Sequence, residues 1–253
     1  MKKKIAILGS TGSIGDTLLN IVKKDSSNIK VILLTANSNY KKLLKQAKKF
    51  KVKNLIITDN HSFKILKVKT KNLKIRVYNN YEKLDKIFQN KIDYTMSSIT
   101  GIDGLYPTVK IIKFTKKIAI ANKESIICGW AIINRELKKN KTEFIPVDSE
   151  HFSIWSVIKD YNRSDIEKII LTASGGPFLN KNIKNNIKIK DAINHPNWRM
   201  GKKISVDSAT FMNKIFEVVE AKKIFDIELK KFDILIHPKS YIHAIVKLKN
   251  GLI

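Results

Sequence analysis

Cysteine is almost absent from this sequence, since Cys128 is the only one among 253 residues. An internal disulfide is therefore excluded, which fits a protein of the reducing cytoplasm. Long hydrophobic runs are absent as well, and no stretch is apolar for long enough to span a bilayer. The apolar run Ile5–Leu8 that follows the N-terminal lysines ends at Gly9. It is too short for a signal peptide.

Acidic residues are scarce, because 22 Asp and Glu stand against 49 Lys and Arg and give a formal net charge of +27. A charge of this size can indicate a nucleic-acid partner. The lysines are spread along the whole chain, however, and no basic run alternates with stacking aromatics. We therefore expect only nonspecific, salt-sensitive affinity for nucleic acid. The hydrophobic content of 43% is enough for a core, and the length suits one large or two ordinary α/β domains.

The N-terminal residues predict a strand, a glycine turn and a helix. Ile5–Leu8 leads into Gly9-Ser10-Thr11-Gly12-Ser13-Ile14-Gly15, and Thr17–Val22 then has helical spacing. Glycines in such a turn let the backbone approach a pyrophosphate, and the helix N-terminus supplies N–H groups. The spacing departs from the commoner G-x-G-x-x-G, so a plain glycine-rich turn is the alternative. Its position at the start of a βαβ pattern favours dinucleotide binding.

An acid is missing where an NAD site usually has one. The second predicted strand, Val31–Ala36, ends in Asn37-Ser38-Asn39 and is followed by Lys41 and Lys42. An Asp or Glu at this place would hold the ribose hydroxyls of NAD. The absence of a carboxylate favours a 2′-phosphate and hence NADP, whereas lysines are too common in this sequence to add much.

Strands continue to alternate with helices along the first half. We predict further strands over 54–58, 75–77, 94–99 and 117–121. Such alternation predicts a parallel, doubly wound sheet with right-handed crossovers, whose ligands lie at the carboxyl ends of the strands. Gly101 and Asn122-Lys123-Glu124 occupy such ends. Lys123 is a candidate for holding an anionic or hydroxylated substrate, and a surface lysine is the equally weighted alternative.

Two carboxylates stand close together in the second half. Asp148 and Glu150 follow the predicted strand Glu143–Val147, and side chains two apart on a strand share one face. Like charges at such proximity need a cation between them, and a hard divalent ion such as Mg²⁺ suits carboxylate oxygens. For the tripeptide Asp148-Ser149-Glu150 taken alone, a solvated strand end is the alternative, and it is commoner than a metal site.

Two later turns predict ligand contacts. Ser174, Gly175 and Gly176 follow the predicted strand Ile169–Ala173, and can offer a hydroxyl and backbone N–H groups to a phosphate. An ordinary tight turn is the alternative there. The segment His195–Gly201 reads as a loop that closes over a ligand. The alternative is a loop pinned by a buried Trp198.

A helix is predicted over Met212–Ala221. Asn213 and Glu217 share one of its faces at spacing i, i+4. The expected buried face consists of Ile215, Val218 and Val219.

The start of this helix is a candidate phosphate site. Ser208 and Thr210 precede it, where N-terminal N–H groups attract phosphate. Glu217 is a candidate third oxygen ligand beside Asp148 and Glu150, and a solvated helix face is the alternative. The candidates for gripping a phosphate are Ser208, Asn213 and Lys214.

The assembled segments closely resemble the 1-deoxy-D-xylulose 5-phosphate reductoisomerase family, NADPH-dependent enzymes of non-mevalonate isoprenoid synthesis. The motifs occur in family order along nearly the whole chain. They are Gly9–Gly15, Ala121–Ser125, Pro146–His151, Ser174–Phe178, His195–Trp198, Lys203–Thr210, Asn213-Lys214 and Glu217.

The resemblance implies the fold and its division. Residues 1–145 would form a Rossmann-like NADP-binding domain with a parallel sheet, and residues 146–253 an incomplete α+β catalytic domain. The family's C-terminal helical domain has no counterpart in this sequence, so an inactive remnant of the enzyme is the alternative. Family enzymes are homodimers built partly through strands around Ile234 to Lys247.

The resemblance also assigns roles to residues. The implied ligands of Mg²⁺ or Mn²⁺, with Co²⁺ as a further option, are Asp148, Glu150 and Glu217. The substrate phosphate would be held by Ser174, Ser208, Asn213 and Lys214, the substrate hydroxyls would contact Ser149 and Lys123, and Glu150 and Glu217 would also touch the substrate. His195 and Trp198 would belong to a mobile lid. The NADPH contacts would come from Gly9, Ser10, Thr11, Gly12, Ser13, Ile14, Ala36, Asn37, Asn39, Asn122, Lys123, Glu124 and Gly201.

The implied reaction is an isomerisation followed by hydride transfer. The metal chelates the substrate's carbonyl and neighbouring hydroxyl and stabilises the developing oxyanion as a Lewis acid. A retro-aldol cleavage and re-addition rearranges the carbon skeleton, and NADPH reduces the resulting aldehyde to 2-C-methyl-D-erythritol 4-phosphate. Lys123, Glu150 and a metal-bound water are the candidates for moving protons, and His195 is also counted among the catalytic residues.

Overall fold

The computed structural model describes residues 2–179, 187–195 and 201–253. The chain divides into two compact units, Met1–Ile145 and Pro146–Ile253. Within the described residues, no helix is both long and apolar enough to cross a membrane.

The first unit is a seven-stranded sheet with helices between its strands. The strands are β1 Lys3–Leu8, β2 Ile29–Ala36, β3 Asn54–Ile57, β4 Arg76–Tyr78, β5 Ile92–Ser97, β6 Thr115–Ile120 and β7 Glu143–Pro146. The helices are α1 Ser13–Lys24, α2 Tyr40–Lys49, α3 Asn60–Lys69, α4 Leu105–Ile112 and α5 Lys123–Lys139.

The strand order in this sheet is β4-β3-β2-β1-β5-β6-β7. The pairings described for β1 to β6 are all parallel. The strands are apolar runs because helices cover both faces, and Ile5 to Leu8 in β1 are all buried. The predicted parallel, doubly wound sheet is thus confirmed. The chain reverses its direction of progress between β1 and β5, and ligands bind at such a switch point.

Asparagine and aspartate begin three of these helices. The side chain of Asn39 accepts the Lys42 amide, that of Asp59 accepts the Ser62 amide, and that of Asn122 accepts the Ser125 amide. These side chains satisfy backbone N–H groups that have no partner within a helix. The helices therefore begin directly after β2, β3 and β6, with their N-termini at the carboxyl edge of the sheet.

The second unit combines a small mixed sheet with four helices in the part of it that the structure describes. Its elements are α6 Ser149–Ile158, β8 Ile166–Ala173, α7 Ile189–Ile193, α8 Lys202–Ala209, α9 Met212–Phe225, β9 Phe232–Ile236 and β10 Ala244–Leu248. The central strand β8 is antiparallel to β10 and parallel to β9. The core between sheet and helices contains Ile169 and Leu171 of β8, Ile154 of α6, and Ala221 and Phe225 of α9.

One local prediction in this unit is wrong. The strand β7 ends at Pro146, and Asp148 is the N-cap of α6, so Asp148 and Glu150 do not lie on one strand. Ser208 and Thr210 precede α9 as predicted, although the residues before α9 form the helix α8 and Ser208 lies in its last turn. Phe211 joins the two helices with a left-handed backbone at φ 61°.

Candidate functional site

The glycine turn of the first unit is tightly confined between β1 and α1. Gly9 has φ +77°, and a Cβ there would lie 2.8 Å from the carbonyl oxygen of Ser98. Ser98 follows β5 and donates from its Oγ to the carbonyl of Leu8 at 2.7 Å. A side chain at Gly9 would therefore meet a left-handed backbone and an occupied space together. Gly12, Ser13 and Ile14 face solvent on the outer side of the turn.

Helix α2 supports the turn from behind. Gln46 accepts from the buried Ser10 hydroxyl at 2.9 Å and donates to the Ser10 carbonyl at 2.9 Å and to Asp16 at 3.0 Å. Lys42 donates to the Thr11 carbonyl at 2.8 Å and forms an ion pair with Asp16. Because these bonds engage the Ser10 hydroxyl, that side chain is part of the scaffold of the turn, and the contact of Ser10 with the cofactor stays a prediction. Sequence reasoning missed Gln46, because its partners Ser10 and Asp16 lie 36 and 30 residues earlier in the chain.

The end of β2 is tied to the same turn. Thr35 Oγ1 accepts the Gly9 amide at 2.9 Å and the Tyr81 hydroxyl at 3.1 Å. Burial raises the pKa of Tyr81 to about 12, although the hydrogen bond with Thr35 acts in the opposite direction. Ala36 is buried, whereas Asn37 and Asn39 are exposed. The absence of an acid across Ala36–Asn39 therefore leaves an uncharged edge beside the glycine turn.

Asn122 pins the loop that follows β5. Its side-chain amide donates to the Gly101 carbonyl at 2.6 Å and to the Ile99 carbonyl, and its oxygen accepts the Ser125 amide at 2.7 Å. Lys123 and Glu124, both partly buried, form the first turn of α5 directly after it. The side chain of Asn122 is thus engaged within the protein, and the roles of Lys123 and Glu124 stay predictions.

The three predicted metal ligands come together in the second unit. Oxygens of Asp148, Glu150 and Glu217 all lie within 4.8 Å of one another. Asp148 caps α6, Glu150 lies in its first turn, and Glu217 comes from the middle of α9. Asp148 and Glu150 are therefore brought together by the start of helix α6 and not by the alternation of side chains along a strand. Carboxylate oxygens in this number and proximity fit a hard divalent cation such as Mg²⁺ or Mn²⁺.

Lys214 lies between two of these carboxylates. Its Nζ is 2.8 Å from Glu150 Oε1 and forms an ion pair with Glu217 Oε2. Burial acts to lower the pKa of Lys214, but the attraction of Glu217 and Glu150 together outweighs it and raises the pKa above the ordinary lysine value. The side-chain amide of Asn213 also donates a hydrogen bond to Glu217 Oε1. Both residues were predicted to grip a phosphate, and in this arrangement both hold a carboxylate.

Helix α9 carries its charged side towards the protein interior. Lys214, Glu217 and Glu220 are buried, at 5%, 2% and 2% exposure. Ile215, which was predicted to be buried, is 51% exposed. That prediction is wrong because the start of α6 is polar where it meets the first half of α9, and charged side chains are buried where they find partners.

His151 joins the two helices beneath the carboxylates. Its ring is fully buried, and Nε2 lies 2.9 Å from the Glu217 carbonyl oxygen. On its other side, Nδ1 lies 3.8 Å from Asp148 Oδ1 and 3.7 Å from Glu220 Oε2. Sequence reasoning gave neither His151 nor Glu220 a role. The spacing of Glu220 one helical turn beyond Glu217 was the available signal.

Glu150 has further neighbours around the cluster. The Ser149 hydroxyl donates to Glu150 Oε2 at 2.6 Å. His243 Nδ1 lies 4.0 Å from the same oxygen, and its side chain is one-third exposed. Sequence reasoning also missed His243, whose place beside β8 depends on strand pairing across a long sequence separation.

Ser174 and His195 form a second cluster in this unit. Ser174 Oγ and His195 Nε2 are 3.1 Å apart, and burial lowers the pKa of His195, which keeps its imidazole neutral near pH 7. Gly176 has φ +70°, and a Cβ there would lie 2.8 Å from the Ser208 carbonyl oxygen. The structure thus brings Ser174, His195 and the Ser208 backbone together. Gly201 caps α8, and Trp198 lies outside the described residues.

Family models match both units. Residues 5–129 match 1-deoxy-D-xylulose 5-phosphate reductoisomerase, and residues 144–225 match the C-terminal domain of 1-deoxy-D-xylulose 5-phosphate reductoisomerase.

Individual relatives agree with these matches. The chain is 63% identical to the 1-deoxy-D-xylulose 5-phosphate reductoisomerase of Pelagibacter ubique, over 99% of this chain and 66% of that protein. It is 42% identical to the enzyme of Clostridium kluyveri, again over 99% and 66%. The chain therefore spans 66% of the length of these curated relatives.

Solved structures show the same likeness. The reductoisomerase from Zymomonas mobilis in complex with NADPH is 35% identical, with a TM-score of 0.88 over 100% of this chain and 66% of that one. A reductoisomerase in complex with NADPH, fosmidomycin and magnesium is 35% identical, with a TM-score of 0.89 over 99% and 65%.

Proposed function

The chain belongs to the 1-deoxy-D-xylulose 5-phosphate reductoisomerase family, and we propose that it performs that family's reaction. The reaction is the NADPH- and divalent-metal-dependent rearrangement and reduction of 1-deoxy-D-xylulose 5-phosphate to 2-C-methyl-D-erythritol 4-phosphate, in the cytoplasm. The observation that carries this proposal is the convergence of Asp148, Glu150 and Glu217 within 4.8 Å. In this proposal residues 1–145 bind NADPH, and residues 146–253 bind metal and substrate.

The carboxylate cluster supports the metal-dependent part of the proposal. Asp148, Glu150 and Glu217 would hold Mg²⁺ or Mn²⁺, which supplies Lewis-acid stabilisation of negative charge on the substrate's carbonyl and hydroxyl oxygens. The Ser149 hydroxyl lies beside Glu150, where it can orient that carboxylate or meet a substrate hydroxyl. Glu150 and Lys123 remain the protein's candidates for moving protons.

The second cluster supports phosphate binding. Ser174 would offer its hydroxyl, and Gly176 in a left-handed conformation presents backbone close to Ser208. A neutral His195 can donate one N–H to an anion. Ser208, Asn213 and Lys214 would complete the phosphate contacts.

The glycine turn supports NADPH binding. Its outer side, formed by Gly12, Ser13 and Ile14, is exposed at the N-terminus of α1, where backbone N–H groups attract a pyrophosphate. The residues after β2, Asn37-Ser38-Asn39, include no Asp or Glu, so no negative charge among them repels a 2′-phosphate. Structural neighbours at 35% identity are complexes with NADPH.

The test is turnover by the 253-residue protein. We expect oxidation of NADPH in the presence of 1-deoxy-D-xylulose 5-phosphate and Mg²⁺, followed by absorbance, and its loss when a chelator removes the metal. Metal-dependent turnover would establish the activity in this chain. Binding of NADPH without any turnover would support the alternative, an inactive remnant of the enzyme.

We also propose a homodimer that uses strand β9. Its edge exposes Ile234, Leu235 and Ile236, at 41%, 50% and 45%, and an exposed apolar edge is suited to pairing with another chain. We expect Leu235→Lys to shift the protein from dimer to monomer in sedimentation equilibrium. Val157→Lys, at an equally exposed apolar position on α6, should leave the dimer intact. A wild-type protein that sediments as a monomer would contradict the proposal.

A further inference from the structure

We propose that Lys214 exchanges partners between the carboxylate cluster and the substrate phosphate, so that divalent cation and phosphate bind cooperatively. When a divalent cation takes Glu150 and Glu217, the Lys214 ammonium leaves them and becomes the phosphate contact. This inference rests on the proposed function, because it assumes that metal and phosphate share one site.

The geometry makes the two arrangements exclusive. Lys214 Nζ is 2.8 Å from Glu150 Oε1 and also contacts Glu217 Oε2. Glu150 and Glu217 both belong to the group of carboxylates whose oxygens lie within 4.8 Å of one another. Mg²⁺ binds carboxylate oxygens at about 2.0–2.1 Å, so a metal held by both groups would occupy the region that the ammonium now fills. Two cations cannot share that space.

The displaced Lys214 side chain must find another anion. It is 5% exposed, so water alone does not solvate its charge. A buried ammonium without a partner is strongly unfavourable. A phosphate group supplies the missing counter-charge.

Asn213 would change partners at the same time. Its amide donates to Glu217 Oε1, the second oxygen of the carboxylate that Lys214 contacts. Asn213 and Lys214 both lie in the first turn of α9. When Glu217 turns to a metal, two hydrogen-bond donors are released together at a helix N-terminus, which itself favours an anion. Glu217 is therefore the residue through which the two ligands affect each other.

Such coupling must be reciprocal. If a metal releases Lys214 for phosphate, phosphate must strengthen metal binding by the same factor. Typical couplings of this kind change affinity by about 5–150-fold.

The experiment measures Mn²⁺ binding to the whole 253-residue protein by electron paramagnetic resonance of the unbound ion, with and without saturating inorganic phosphate. We expect phosphate to lower the apparent Kd for Mn²⁺ by about 10-fold, within the usual range of such couplings. In Lys214→Gln, Mn²⁺ should bind more tightly than in the wild type when phosphate is absent, and phosphate should have little further effect.

Lys222→Gln is the matched control, because it removes the same charge from an exposed position on α9. It should keep the phosphate effect of the wild type, which separates partner exchange from a general loss of positive charge. If Lys214→Gln does not fold, Lys214→Met takes its place, because it removes the charge and keeps an unbranched apolar side chain suited to a buried position, and it should likewise lose the phosphate effect.

Three results would overturn the exchange and point to different causes. Tight Mn²⁺ binding that phosphate does not alter would reject the exchange and leave the proposed metal-dependent reaction standing. No Mn²⁺ binding at all would reject both. An undiminished phosphate effect in Lys214→Gln would show that phosphate acts through the metal itself and not through Lys214.

Discussion

Asp148→Asn is expected to weaken Mn²⁺ binding by about 100-fold or more and to abolish metal-dependent turnover. Loss of groups that merely orient metal ligands costs about 10–100-fold, so loss of an anionic ligand should lie at or above that range. The fold should survive. Asn and Asp are equally good at helix N-caps, and Asp148 makes no side-chain capping bond in α6. The variant therefore changes charge at nearly constant shape.

Mn²⁺ binding and thermal unfolding should be measured on the same preparations. Asp160→Asn is the control, because this substitution removes the same charge from an exposed position in the same unit, just after α6. It should bind Mn²⁺ like the wild type. Unchanged metal affinity in Asp148→Asn would show that Asp148 is not a ligand.

Gly9→Ala is expected to destabilise the first unit by about 2–5 kcal/mol and to eliminate NADPH binding. Its Cβ would lie 2.8 Å from the backbone oxygen of Ser98, and its φ of +77° is unfavourable for alanine. The neighbouring atom is backbone, so it cannot turn aside as a flexible side chain could. Relief requires β1 and β5 to separate at the edge where the cofactor is proposed to bind.

Gly12→Ala separates folding from binding. Gly12 has φ −79°, and a Cβ there would have only an ordinary contact, 3.4 Å from the Gly9 carbonyl oxygen. We expect wild-type thermal unfolding but NADPH affinity lowered about 10-fold or more, roughly 1.4 kcal/mol, because the new methyl group lies on the exposed side of the turn. Fluorescence titration with NADPH measures this. Wild-type affinity in Gly12→Ala would place the pyrophosphate elsewhere.

The first unit could be predicted because its signals are local. Each buried parallel strand appears as a short apolar run, and residues that cap a helix follow soon after it. Asn39 caps α2 shortly after β2, and Asn122 caps α5 shortly after β6. Nothing in that sequence pattern reveals Gln46, since a buried glutamine on a helix resembles any other polar position until its partners are known.

The second unit was less predictable because its interior is partly ionic. Hydrophobic periodicity places Ile215 on the buried face of α9, whereas the structure exposes Ile215 and buries Lys214. Lys214 and Glu150 are 64 residues apart, so no local pattern shows that each will neutralise the other. Asp148 and Glu150 were identified from strand alternation, yet a helix N-terminus brings them together. The chemistry of the residue types was informative where the backbone assumption was not.

The charged inner face of α9 has a consequence for how this unit gains its order. A helix with hydrocarbon on its inner face gains stability from any apolar surface, but Lys214 and Glu217 also depend on particular atoms of α6. Undocking α9 therefore removes Lys214 from Glu150 and the Glu217 carbonyl from His151, so α6 should loosen with it. We expect the amides of both helices to exchange hydrogen with similar protection, as one cooperative unit. The residues proposed for catalysis are then also those that decide when the two helices are ordered.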